Sequence, residues 1–143
     1  RIVSNLLPTI KSVEECVAAL KNSNLLFMGY NIVLSDPEGA WLLEVYKKNL
    51  NVRRLADREV VTNHFSVLDH GPKRLEDYPS SFCRLELGRE RIAGIESEAE
   101  LFAFLSYRDP DENRSIWRES PAFKTVSSTI LNLKAGTVKR AHG

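Results

Sequence analysis

The apolar positions begin at helical spacing and soon change to strand spacing. Val13, Cys16, Val17 and Leu20 share one helical face, and Ser12 with Glu15 forms an S-x-x-E capping box, so a helix is predicted over Val13–Leu20. Two runs rich in Ile, Val, Leu and Trp follow, Tyr30–Ser35 and Ala40–Tyr46, separated by Asp36-Pro37-Glu38-Gly39. Proline at the second turn position and glycine at the fourth suit a type I turn, which makes this pair a hairpin. Gly29, just ahead of the first run, marks a bend. Further strands are predicted at Val52–Leu55, after a turn around Asn49–Asn51, and at Glu59–Thr62. Turn signals every few residues describe an antiparallel meander, and the nearly continuous apolar runs imply that both faces are covered.

From Ser66 to Ser80 the chain turns polar and irregular, with Gly71-Pro72 and Tyr78-Pro79 as breakers. Two helices are then predicted, one over Ser81–Ile95 and one starting at a second capping box, Ser97 with Glu100. Arg108–Arg114 reads as a charged surface loop. The segments FKTVSSTILNL and TVKRA, split by Lys134-Ala135-Gly136, predict a closing hairpin. Helix, four strands, two helices and two strands make an α+β arrangement with antiparallel sheet, without the βαβ alternation of a nucleotide-binding fold. With no repeat or linker, residues 1–143 are expected to form a single domain.

Charge narrows the partners. Twenty Lys plus Arg against 19 Asp plus Glu leave no electrostatic footprint for nucleic acid or an anionic membrane, so neither partner is expected. Lys47–Lys48 and Arg53–Arg54 read as a solvated edge. No apolar run approaches the roughly 18–20 residues of a membrane span. Cys16 and Cys83 stand in no metal-like spacing, and both fall on helical faces as small buried hydrophobes. Glycine-rich phosphate loops and HExxH are absent, and His64, His70 and His142 are scattered, so no metal and no cofactor are expected.

One stretch stands out. In VVTNHF an apolar run ends in three polar side chains, Thr62, Asn63 and His64, before Phe65. An asparagine there offers two donors on a short stem, able to stabilise an oxyanion at a carbonyl under attack. The same residue could close an Asx turn instead. Ser127 and Ser128 raise a similar choice between facing substrate and lying, with Thr125 and Thr129, on the polar face of a half-buried strand. Glu44, ending an apolar strand, could pair with a basic residue across the hairpin.

The succession G-Y-N-x-x-L-x-D-x-x-G (Gly29–Gly39), E-V at Glu44, V-T-N-H-F at Val61–Phe65 and S-S-x-x-R at Ser80–Arg84, with Val13–Leu20 before it and the late strand Thr125–Leu133, resembles cysteine N-terminal-nucleophile (Ntn) hydrolases. These are the relatives of acyl-coenzyme A:6-aminopenicillanic acid acyltransferase, and more distantly of penicillin V acylases and bile salt hydrolases. The resemblance implies a four-layer αββα sandwich, autoproteolytic exposure of an N-terminal Cys, and attack by its thiol on an amide or acyl carbonyl. By position in T-N-H-F, Asn63 would donate to the oxyanion, with Thr62, His64, Phe65 and Ser127 near the substrate. The nucleophile of such enzymes lies upstream of the matching region. This chain, which begins at Arg1, is therefore expected to be the C-terminal portion of a longer hydrolase or acyltransferase and inactive alone. Its expected partners are a small amide or acyl substrate, the missing N-terminal part and, through an open sheet edge, a second copy. The alternative is a non-catalytic binding or oligomerisation domain derived from that fold.

Overall fold

Ser12 begins the first helix as the pattern requires: its hydroxyl accepts the Glu15 N–H at 3.2 Å, and α1 spans Val13–Asn22 with Val13, Cys16 and Leu20 buried. The computed structural model describes residues 9–23, 26–70, 76–121 and 123–142. Within it the chain divides into two units, Arg1–Tyr78 and Pro79–Gly143. Gly71-Pro72 lies outside the described residues. Mixed helices and antiparallel sheets make the fold α+β.

In the first unit, β1 (Phe27–Asp36), β2 (Gly39–Lys47) and β3 (Asn49–Arg54) form an antiparallel sheet in sequence order. The Asp36–Gly39 turn forms as expected, with the Asp36 carboxylate accepting the Glu38 N–H at 2.9 Å. Gly39 has φ of +151°, a conformation that side chains rarely adopt, so the tight turn beside Arg54 favours glycine there. Gly29 sits at an irregularity in the β1–β2 register with φ of +123°, the bend expected from the sequence.

Strand alternation divides β2 between two tasks. Trp41, Leu43 and Val45 face α1 and pack with Ile32, Leu34, Leu50 and Val52 into the core that Cys16, Leu20 and Phe27 complete. On the other face Asn31, Glu44 and Asn51 stand in register across all three strands.

Glu59–Thr62, expected as a fourth strand, has no strand pairing, and residues 55–70 run irregularly. The polar row explains the difference. A buried carboxylate and amide need donors and acceptors that converge on a point, whereas an antiparallel ladder directs them sideways in alternating close and wide pairs.

The second unit holds α2 (Pro79–Ile92), α3 (Glu98–Leu105), a 3-10 turn at Glu112–Arg114, and a hairpin of β4 (Ser127–Asn132) with β5 (Thr137–His142). Pro79 opens α2, a position where its missing N–H costs nothing. The helix begins two residues before the expected start and ends three before Ile95. At Ser97 the capping box closes in both directions. The final hairpin is shorter than its sequence suggests. Thr125 lies outside β4 because its N–H and hydroxyl are taken by Arg118, at 2.8 and 2.9 Å.

Leu43 is 0% exposed at the centre of the first core. Leu43→Ala should therefore cost ~2–5 kcal/mol in urea denaturation, while Leu131→Ala, 63% exposed on β4, should stay within about 0.5 kcal/mol of the parent.

Candidate functional site

Asn31 and Glu44 are direct cross-strand partners, five residues before and five after the Asp36–Gly39 turn. Their side chains therefore emerge side by side, and each takes hold of a different part of the loop. The Asn31 amide donates to the carbonyls of Thr62, at 2.7 Å, and His64, at 3.0 Å. The Glu44 carboxylate accepts the Ser66 hydroxyl at 2.6 Å and the N–H groups of Ser66, Val67 (2.9 Å) and Leu68 (2.8 Å).

Between these anchors the chain has little freedom. Asn63 sits exposed at a bend, with the carbonyls on both sides of it held by one amide. Thr62 Oγ1 and His64 Nδ1 lie 3.2 Å apart, so two of the three polar residues brace each other. The Phe65 ring packs edge-on to Tyr46, with centroids 6.4 Å apart, and would lie 3.6 Å from a side chain at Gly29. His70 closes the cluster, its ring 4.6 Å from Tyr46 and its Nε2 3.2 Å from the Asn49 amide.

Glu44 is 0% exposed. Burial alone would push its carboxyl pKa up, but the Ser66 hydroxyl and the Leu68, Ser66 and Val67 amides together hold it below the ordinary value. The group is an anion at neutral pH, solvated by backbone. The expectation of a basic residue across the hairpin is corrected here: the cross-strand neighbours are Asn31 and Asn51, and Arg53 pairs instead with Glu59 at 2.5 Å.

Thr62, Asn63, His64 and Phe65 thus belong to one loop of the first unit. Ser127 belongs to the second unit, on β4 opposite His142, where its hydroxyl accepts from the Arg140 guanidinium at 2.9 Å. Cys16 is in the core, and burial pushes its thiol pKa up, the reverse of what a nucleophile needs. Cys83 is a half-buried free thiol on α2. Among the described residues no cluster of His, Cys, Asp and Glu could hold a metal ion, and no helix is long and apolar enough to cross a membrane.

Sequence reasoning missed Asn31 and Ser66. The signal for Asn31 was present: a polar residue within an apolar strand, at the same distance from the turn as Glu44. Ser66 carried none, since only the folded loop brings it to the carboxylate. No family model matches the chain, and no curated protein or solved structure matches it significantly.

Glu44 titrates below its unfolded pKa of about 4.3, so its contribution to stability is present above that pH and is lost as pH falls through the lower, folded value. The Ser66, Val67 and Leu68 amides should be protected from hydrogen exchange near neutral pH and lose that protection only as pH falls through the lowered, folded pKa of Glu44. Glu44→Gln should lower stability by about 2 kcal/mol, the scale of hydrogen bonds to a charged acceptor, and should flatten that acid dependence.

Proposed function

We propose that the chain is the C-terminal portion of a cysteine Ntn-type hydrolase or acyltransferase, acting at an amide C–N bond within a four-layer αββα sandwich. Asn63 is the oxyanion donor of that site. The observation that carries this reading is the double hold of Asn31 on the carbonyls flanking Asn63, which fixes the backbone while leaving the residue at the surface. A donor that is fixed before the reaction needs no reorganisation when charge develops on the substrate, which is what makes an oxyanion hole effective.

In this reading the nucleophile is a Cys outside these residues, freed as an N-terminus by autoproteolysis. Its α-amine, with an ordinary pKa near 7.7–8.0, accepts the thiol proton, the thiolate attacks the carbonyl carbon, and Asn63 meets the oxygen. Thr62 and His64 frame the carbonyl, and Phe65 provides an apolar wall. The edge of β1, unpaired among the described residues, would receive the N-terminal part.

One observation favours the non-catalytic alternative. Around β1, an edge of its sheet, Leu26, Met28, Tyr30 and Val33 are exposed, as suits a strand that pairs with a second copy. Gel filtration separates the two: a clean monomer of the 143-residue chain argues against the homodimer.

In the complete protein, denaturing mass spectrometry should find a co-purifying polypeptide that begins with Cys. Asn63→Ala should reduce kcat by about two to three orders of magnitude, the loss typical of one oxyanion donor. Unchanged turnover in a folded variant would sink the assignment.

A further inference from the structure

Lys47, the last residue of β2, and Lys48 form the two-residue turn into β3, since Tyr46 pairs with Asn49. Tight hairpin turns of this length place their first connecting residue at positive φ, and Gly, Asn or Asp is the usual occupant. Here the residue is lysine. Lys47 has φ of 53°, the one positive value at a non-glycine residue among those described. A side chain in the left-handed region is disfavoured, and such outliers concentrate where a ligand is held.

The turn borders a cavity of about 140 Å³, lined by Lys21 from the last turn of α1 and by Lys47, Lys48, Asn22, Ser23 and Asn49, over an apolar floor of core side chains. Among the described residues none of the three lysines has a carboxylate partner; Lys47 has the Tyr46 ring, 5.3 Å from its Nζ. In a chain of net charge +1 this is a local concentration of cations. The C-terminal end of α1 opposes an anion, with roughly half a negative charge. Three whole charges outweigh it, and the Leu20 carbonyl is already occupied by the Ser23 N–H and hydroxyl, at 3.2 and 2.9 Å.

From this geometry we infer that the cavity beside the Lys47–Lys48 turn binds a phosphoryl group, either free, on a small molecule, or on a lipid headgroup. Ammonium groups act as compact point charges, suited to phosphate oxygens without the planar fork of arginine. The volume is several times the ~30 Å³ of a water molecule, enough for a phosphoryl group and a few atoms of its carrier. This site is independent of the hydrolase reading.

Inorganic phosphate titrated into the chain at constant ionic strength, followed by amide NMR, should give saturable shifts at Asn22, Ser23, Lys48 and Asn49. Lys21→Gln and Lys48→Gln should each weaken binding about fivefold, the effect of one unit charge at ~4 Å in a hydrated setting. Lys134→Gln, in the β4–β5 turn, should leave it unchanged. Lys47→Gly separates binding from folding: it relieves the positive φ and removes a charge, so Tm should rise while phosphate affinity falls. Phosphatidylcholine vesicles with and without phosphatidic acid identify the source. Dependence on phosphatidic acid assigns the phosphoryl group to a headgroup, and indifference assigns it to a soluble ligand. No saturable shift, or the same shifts with sodium chloride at equal ionic strength, overturns the inference.

Discussion

The first unit depends on how a single buried charge is accommodated. A carboxylate in the middle of an apolar strand is costly by several kcal/mol unless its oxygens are hydrogen-bonded. Glu44 meets that condition with three backbone N–H groups and one hydroxyl from Ser66–Leu68. Charge-assisted bonds of this kind contribute about 1.5–3 kcal/mol each before desolvation is subtracted, so the anion holds the loop as firmly as the loop solvates the anion. That mutual requirement makes residues 55–70 a docked loop in place of a fourth strand. It also brings Asn63 to the surface at a fixed position.

The polar row has a cost that its loop contacts do not remove. Asn31 Oδ1 and Asn51 Nδ2, on either side of Glu44, are buried without a hydrogen-bond partner among the described residues. Each such group destabilises by about 1–3 kcal/mol, and apolar residues of similar size on the three strands would avoid it. A row retained against that cost fits a demand for position over stability. It also fixes register: a one-residue slip of β1 against β2 would turn Asn31 toward α1 and bring an apolar neighbour under the loop.

What the sequence reveals follows from how local each determinant is. Helix α1, the Asp36–Gly39 hairpin and the capping box at Ser97 are set by residues within four positions of one another, and all are legible. The fourth strand is misread because Val60-Val61 has strand character, while the partners that decide its course, Asn31 and Glu44, lie 16 or more positions earlier in the sequence. Thr62, Asn63 and His64 are recognisable as unusual from their own pattern. That an amide two strands away grips the carbonyls around Asn63 is a tertiary fact, legible only to a reader who first pairs Asn31 with Glu44 across the turn.

β2 shows how one short strand carries these demands together. Its odd positions supply the core, Glu44 among its even positions anchors the loop, and its last residue, Lys47, enters a turn that glycine would form with less strain. The core positions agree with propensity and pattern, while Glu44 and Lys47 depart from both. Departures of this kind in an otherwise consistent strand are where function is expected to be found, because stability alone would have removed them. The two are also separable. Glu44 acts on the loop across one face of the sheet, whereas Lys47 borders a cavity floored by Leu20 and Phe27, core residues of the other side. Alternation along a single strand keeps them apart, so changing the charge in the turn leaves the hydrogen bonds around Glu44 intact.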